Sequence, residues 1–234
     1  MHTLDVFNSA ETIEIDEKIM EIFRKLNRQF TKKNLHNKKP LKKTNIAIDH
    51  LSCIKTIINK TTLETYDENC DDLIKKYNDF SDKTECCSKI FDILSKNTFY
   101  SSLYASLYSK LIINDPLFLN FLNDNKLLLR DQYNKIVFYD SNEDYDKFCE
   151  NNKINANIKA VTSFYSYLLL NGDLSEDYII QNIVFLIDKI KETDDNVIIF
   201  ELLENMNIYI SITHNIIKNN KEWDNIISNL NVMK

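Results

Sequence analysis

The residue types that carry out catalysis or bind metals are present in this sequence, but their spacing fits neither role. The four histidines are scattered along the chain: His2, His36, His50 and His214. They form no His-Glu-x-x-His motif and no metal-spaced group with cysteines, and the only glycine, Gly172, leaves no loop to hold a nucleotide. The pairs Asp71-Asp72 and Asp194-Asp195 fall at predicted helix starts, where carboxylates stabilise free backbone N–H groups. The sequence therefore predicts neither an enzyme nor a bound metal or cofactor.

The five cysteines are an odd number, have no Cys-x-x-Cys spacing, and fall mostly at apolar helical positions. They are Cys53, Cys70, Cys86, Cys87 and Cys149. We interpret them as reduced core thiols, which favours a reducing compartment. No apolar run reaches the roughly 20 residues of a membrane span, and residues 1–10 lack the basic-then-apolar order of a signal peptide. The sequence therefore predicts a soluble, cytoplasmic protein without a membrane partner.

Charge is distributed unevenly along the chain. The formal net charge of -6 argues, on its own, against nucleic acid as a partner. Residues 22–48, however, contain no acidic residue. The basic residues of this segment are Arg24, Lys25, Arg28, Lys32, Lys33, Lys38, Lys39, Lys42 and Lys43. Two interpretations stay open: a solvated basic arm, or an arm that binds the phosphates of RNA with Phe30 and His36 beside the lysines.

The composition indicates an all-α fold. One glycine and two prolines are too few for the tight turns that join strands. Apolar residues instead recur at three- and four-residue steps in a series of amphipathic segments joined by short polar loops. This pattern predicts an α-solenoid of HEAT-like antiparallel helix pairs. We assign residues 1–45 to an amino-terminal helix and basic arm, and residues 46–234 to a helical-repeat scaffold.

Polar residues before the apolar stripes predict where helices begin. Thr61 and Glu64 form a capping box, and Ser81 and Ser175 are further candidate caps. Asp115 followed by a proline predicts another helix start.

Three features predict where helices end or break. Gly172 should end the helix that carries Ile158 and Leu169. The acidic, aromatic segment 139–150 is predicted to be a connection between helices. Residues 197–206 and 208–217 are predicted as two separate helices.

Four short sequences stand in order along the scaffold. They are residues 57–62 (Ile-Ile-Asn-Lys-Thr-Thr), 99–107 (Phe-Tyr-Ser-Ser-Leu-Tyr-Ala-Ser-Leu), 126–132 (Lys-Leu-Leu-Leu-Arg-Asp-Gln) and 156–164 (Ala-Asn-Ile-Lys-Ala-Val-Thr-Ser-Phe). Together they resemble the middle domain of eukaryotic translation initiation factor 4 gamma. That family has Ile-Leu-Asn-Lys-Leu-Thr, a Pro-x-aromatic-Ser-x-x-Tyr-Ala helix opening, Lys-Leu-Leu-Leu-Asn-Arg-Cys-Gln and Gly-Asn-Ile-Lys-Phe-Ile-Gly-Glu-Leu-Phe at the corresponding places. This chain lacks the proline, has Ala156 and Ser163 in place of the two glycines, and has Arg130 directly after the leucines.

The resemblance implies a scaffold for translation initiation. Such a scaffold binds a DEAD-box RNA helicase of the initiation factor 4A type, promotes its activity at mRNA 5′ ends, and contacts RNA and other initiation factors. The helicase-binding residues that it implies are Lys126, Leu127, Leu128, Leu129, Arg130, Gln132, Asn157 and Lys159. We expect most of the leucine side chains in the core, and Lys126, Arg130 and Gln132 exposed. RNA binding flanks or overlaps the domain in that family, which also favours an RNA-binding basic arm.

Two alternatives stay open. A related middle-domain scaffold would serve poly(A)-binding-protein regulation, RNA surveillance or splicing, and would differ in its helicase partner. A plain helical-repeat adaptor would bind neither helicase nor RNA, and its local matches would reflect a composition rich in leucine and lysine.

Overall fold

The computed structural model describes residues 50–232, and all regular secondary structure in this range is α-helical. The helices of this range are α1 (His50–Lys60), α2 (Tyr66–Asn78), α3 (Lys83–Ser95), α4 (Ser101–Asn114), α5 (Leu117–Tyr133), α6 (Tyr145–Leu170), α7 (Glu176–Glu192), α8 (Asn196–Ile217) and α9 (Trp223–Val232). The all-α prediction is confirmed. The predicted amino-terminal helix, the basic arm and the boundary between residues 45 and 46 lie outside the described residues.

The helices pack in two alternating layers. In one layer α1, α3, α5, α7 and α9 each pack against the next odd-numbered helix, and in the other α2, α4, α6 and α8 do the same. Lys126 and Arg130 of α5 contact residues 178 and 182 of α7, respectively, so α5 and α7 run parallel. Residues 159 and 162 of α6 likewise contact residues 201 and 205 of α8. Neighbours within a layer thus run in the same direction at both places.

One hydrophobic core runs through both layers, from Ile54 in α1 to Ile226 in α9. Its centre is aromatic. The ring of Phe91 in α3 lies 5.3 Å from that of Phe121 in α5 and 6.0 Å from that of Phe164 in α6, both in edge-to-face geometry. Such pairs contribute about 0.5–1.5 kcal/mol each beyond their burial. They hold α3, α5 and α6 together at this point.

A buried polar network also joins the layers. The hydroxyl oxygens of Tyr133 in α5 and Thr162 in α6 are 2.8 Å apart, and those of Tyr133 and Tyr209 in α8 are 3.0 Å apart. The Thr162 hydroxyl in turn lies 2.8 Å from Oδ1 of Asn205. Burial raises the pKa of Tyr133, so the phenol stays protonated. Because these polar groups satisfy one another away from water, they fix the register of the three helices.

The predicted capping box at Thr61 is wrong. The Thr61 hydroxyl donates to the carbonyl of Ile57 at 2.9 Å, so this residue closes α1 instead of opening the next helix. Helix α2 begins later, at Tyr66, after the hydroxyls of Thr62 and Thr65 meet at 3.1 Å. The short-range hydroxyl contacts compete with the capping geometry that the sequence suggested.

Two other predicted caps have different outcomes. Helix α3 is capped by Asp82 and not by Ser81, because the Asp82 carboxylate accepts the backbone N–H of Glu85 at 2.9 Å. Ser175 is confirmed as the cap of α7, where its hydroxyl accepts the N–H of Tyr178 at 3.4 Å. A carboxylate and a hydroxyl both satisfy N–H groups of a first turn, so the choice between adjacent residues depends on the backbone.

Gly172 ends α6, as predicted. Its φ of 87° lies in the left-handed region. Its N–H donates to the carbonyl of Leu169 at 3.0 Å, and the N–H of Asp173 donates to that of Leu168 at 2.9 Å. These two bonds form a Schellman motif, in which glycine carries no steric penalty.

Two other boundaries differ from prediction. Helix α6 begins at Tyr145, inside the predicted connection 139–150, because Asp144 accepts the N–H of Lys147 at 3.0 Å and caps it. The two helices predicted over 197–206 and 208–217 are one helix, α8, which continues through the exposed Asn207.

The two carboxylate pairs predicted at helix starts lie at different kinds of position. Asp195 caps α8, with its carboxylate 2.8 Å from the N–H of Val197. Asp71 and Asp72 lie within α2 and not at its start. All five cysteines are free thiols, with Cys86 and Cys87 fully buried.

Candidate interaction surface

Helix α5 carries most of the residues predicted to bind a helicase, and hydrogen bonds anchor its start. The carboxylate of Asp115 accepts the backbone N–H of Leu117 at 2.9 Å and the hydroxyl of Tyr77 at 2.7 Å. The backbone bond and then the Tyr77 bond lower the pKa of Asp115. Because Tyr77 belongs to α2, the start of α5 is fixed to the other layer. Pro116 fits beside the cap, where its missing N–H needs no partner.

The leucine triplet is divided between core and surface. Leu129 is fully buried, whereas Leu127 is 79% exposed and Leu128 is 52% exposed. The buried face of α5 passes through Leu122, Leu129 and Tyr133 at helical spacing, and this turns the two preceding leucines outward. The expectation that most of the triplet lies in the core is therefore wrong for two of its leucines.

Lys126 and Arg130, which we expected to be exposed, are half-buried against α7. The ammonium of Lys126 lies 5.6 Å from the centre of the Tyr178 ring, and the Tyr178 hydroxyl donates to the Lys126 carbonyl at 3.3 Å. The guanidinium of Arg130 donates to the side-chain oxygens of Gln181 at 3.3 Å and Asn182 at 3.4 Å. Both cations are held in place before any partner arrives, which reduces the entropy lost on binding.

A cavity of about 410 Å³ opens beside Arg130, against α7 and the start of α9. The guanidinium lies 5.6 Å from the centre of the Phe185 ring, and the ammonium of Lys189 lies 5.9 Å from the same ring. Asp188 and Glu222 add two carboxylates to the lining. The lining therefore combines both signs of charge with an aromatic ring, which is typical of the polar edge of a protein–protein interface.

Gln132 faces the opposite side of α5. It lines a second opening of about 370 Å³ between α3 and α5. The side chain is half-buried, not exposed as expected, and it makes no hydrogen bond to any residue between positions 50 and 232. Within this range its amide has no hydrogen-bond partner.

Asn157 and Lys159 lie on α6, in the other layer. Asn157 is exposed. The ammonium of Lys159 pairs with Glu201 at 2.9 Å and also with Glu204, both on α8. Burial opposes the charge of Lys159, but the two carboxylates outweigh burial and raise its pKa. Lys159 is thus occupied within the fold, and the structure does not bring it to the seam between α5 and α7.

Sequence reasoning missed the α7 residues that complete this surface. Tyr178, Asn182 and Phe185 follow one another at steps of four and three, so they share one face of α7, and they hold Lys126 and Arg130. The helical spacing was visible in the sequence. The pairing with α5 was not, because the two segments are about fifty residues apart and no local pattern links them.

The remaining functional expectations concern membranes, metal ions and RNA. No helix within residues 50–232 has the length and apolar character needed to cross a membrane. The same range contains no group of three or more His, Cys, Asp or Glu side chains that could hold a metal ion. The residues predicted to bind RNA lie outside the described part of the chain: Arg24, Lys25, Arg28, Lys32, Lys33, Lys38, Lys39, Lys42 and Lys43.

No protein-family model, curated protein or solved structure matches this chain. The likeness to the middle domain of initiation factor 4 gamma therefore rests on the four short sequences given above.

Proposed function

We propose that this chain is an α-solenoid of HEAT-like helix pairs that binds a DEAD-box RNA helicase of the initiation factor 4A type. The packing supports the solenoid. Helices pack mainly against those one or two positions away along the chain, and neighbours within a layer are parallel where side chains define their direction. Stacked helix pairs of a repeat protein have this arrangement.

One observation carries the binding surface: Leu127 and Leu128 stand exposed on α5 while Lys126 and Arg130 are fixed beside them. Burial of these exposed aliphatic side chains against a partner is favourable, by about 25 cal/mol per Å² of apolar surface. A small apolar centre with cations and amides around it matches the anatomy of a binding hot spot. These are also residues for which the family resemblance implies helicase contact.

The scaffold acts through populations and supplies no catalytic group. A rigid surface that touches both lobes of a helicase favours the arrangement in which both contacts form together. The basic residues before position 50 would add RNA contacts and raise the local concentration of the substrate strand. The expected result is a higher RNA-dependent ATPase rate of the helicase.

The test combines a pull-down with the RNA-dependent ATPase rate of a 4A-type helicase from the same source. The wild-type chain should bind and raise the rate. The double variant L127D/L128D should lose both effects, because two carboxylates cannot be buried at the contact without a large cost.

Leu63→Asp is the matched control, since Leu63 is 85% exposed and lies outside α5. It should behave as wild type. Binding that survives L127D/L128D at full strength would remove α5 from the interface. A folded wild-type chain that neither binds nor stimulates the helicase leaves the plain adaptor as the better reading, and a chain that binds only a surveillance or splicing helicase points to the related scaffold class.

A further inference from the structure

The opening between α3 and α5 has the form of a built site. Its volume is about 370 Å³, within the roughly 300–1,000 Å³ of small-molecule pockets. Helix α3 lines it with Ser88, Phe91 and Ser95, which share one face at steps of three and four. The two serines are too small to fill the gap to α5. The space therefore comes from the side chains on this face.

Aromatic and aliphatic side chains form part of a wall that also contains polar and charged residues. The rings of Phe91 and Phe121 are 5.3 Å apart and edge-to-face, and Tyr165 of α6 lies 6.5 Å from Phe91. Leu129 and Val161 complete the apolar lining. A further flat ring would add edge-to-face contacts of the kind that already hold this part of the core.

Hydrogen-bonding groups in the opening lack partners. The hydroxyl of Ser95 is buried without a hydrogen bond, in a residue only 1% exposed. The Gln132 amide has no partner among the described residues. The Asn125 amide donates to the Phe121 carbonyl at 2.8 Å, and its side-chain oxygen accepts no hydrogen bond from the described residues. An unpaired buried hydroxyl is costly, so a ligand that brings a donor or acceptor to Ser95 gains more than one that does not.

The charges around the opening argue against a phosphate. Asp92 pairs with Lys96 on the rim, and each neutralises the charge of the other. Lys89 is the remaining cation of the lining. A nucleotide phosphate would therefore meet a lining with a net charge of one positive, a poor match for its own two negative charges.

We propose that this opening binds the side chain of a tyrosine presented by a protein partner. The phenol ring lies among Phe91, Phe121 and Tyr165, its hydroxyl bonds Ser95 at the base, and the amides of Gln132 and Asn125 bond the partner's backbone at the mouth. The proposal rests on the proposed function only for the identity of that partner. The site itself stands on the geometry of α3, α5 and α6.

The test uses the full chain with 4-methylphenol as the probe, and reads the NMR signals of the methyl groups of Leu129 and Val161. The probe should shift both sets of signals. Toluene has the same ring without the hydroxyl, and it should bind roughly three- to tenfold more weakly, the range that one hydrogen bond contributes. Ser95→Ala should weaken the binding of 4-methylphenol by a similar factor and leave toluene unchanged.

Two variants locate the site without depending on that hydrogen bond. Ser88→Phe places a ring in the opening and should abolish the shifts. Thr84→Phe adds the same ring at an exposed position of α3 outside the lining, and should leave them unchanged. Circular dichroism confirms that both variants remain helical.

Equal affinity for toluene and 4-methylphenol would overturn the proposal, as would shifts that persist in Ser88→Phe. Adenosine monophosphate is the third probe, and binding of this nucleotide in place of 4-methylphenol would reassign the opening to RNA. Because no helicase is present, failure of the phenol to bind rejects this site and leaves the helicase scaffold proposal standing.

Discussion

Tyr133 in one layer of helices reaches Thr162 in the other, with 2.8 Å between their hydroxyl oxygens. Removing the Tyr133 hydroxyl would leave the fully buried Thr162 and Tyr209 short of a hydrogen-bond partner. We expect Tyr133→Phe to lower the free energy of unfolding by about 1–3 kcal/mol in urea titrations. Tyr139→Phe is the control, because Tyr139 is 38% exposed and has no hydroxyl partner in the described range. Similar losses in both variants would contradict the role of the network.

The divided leucine triplet makes a prediction about stability that does not involve any partner. Leu129→Ala removes a fully buried side chain and should cost about 2–5 kcal/mol. Leu128→Ala acts at a half-exposed position and should change stability by about 0.5 kcal/mol or less. Urea unfolding of the two variants compares them directly. A cost at Leu128 equal to that at Leu129 would mean that α5 is rotated from its described orientation.

Two aspartates should change the free energy of unfolding in opposite directions as the pH falls below neutral. The pKa of Asp115 is lowered by its bonds from the Leu117 N–H and the Tyr77 hydroxyl. The ionised form of Asp115 therefore stabilises the fold at pH values above the pKa that Asp115 has in the unfolded chain. This contribution is lost as the pH falls through its lower pKa in the folded protein. Asp115→Ala should cost about 0.5–2 kcal/mol at neutral pH, the usual value of a helix cap. The difference from wild type should shrink in acid.

Asp173 should behave in the reverse manner. Burial raises its pKa, only partly offset by the hydrogen bond from Ser109. The stabilisation that protonated Asp173 provides is fully present below its pKa in the unfolded chain. It is lost as the pH rises through its higher pKa in the folded protein. The stability of Asp173→Asn relative to wild type should therefore rise with pH. Urea unfolding of both proteins between about pH 3 and about pH 7 measures this slope, and a relative stability that falls with pH would refute the assignment.

The thiols should divide into two classes on chemical labelling. Burial raises the pKa of Cys86 to about 11 and that of Cys87 to about 12, and Cys70 is raised and buried as well. Thiolates, not thiols, react, so these three should label only after unfolding. Cys53 and Cys149 are half-buried and should react in the native protein. Mass spectrometry after brief treatment with a thiol reagent counts the labels, and rapid native labelling at Cys87 would show that α3 opens.

Local signals predicted much of this fold. The apolar stripes located helices because burial of one face has a period that the sequence shows directly. Gly172 marked a helix end because a φ of 87° is a requirement that glycine meets at little cost. Ser175 succeeded as a cap, whereas Ser81 was displaced by the neighbouring Asp82. The predicted cap of α3 failed because two adjacent residues could both cap that helix.

The candidate surface was less predictable, for a physical reason. The sequence of residues 126–132 does not show which side of α5 is buried, because three consecutive leucines cover almost a full turn of a helix. That side is set by the layers around it. Lys159 is a second case: its carboxylate partners, Glu201 and Glu204, come from a helix about forty residues later. Partners this distant are fixed by packing and leave no trace in local spacing.

A chain whose successive helices alternate between two layers is constrained in how it can change length. Loss of α2 alone would move every later helix into the other layer. The side of α5 that now faces outward would then have to pack against the core. Loss or gain of helices two at a time keeps each remaining helix in its own layer. We therefore expect viable insertions and deletions in this chain to come in pairs of helices.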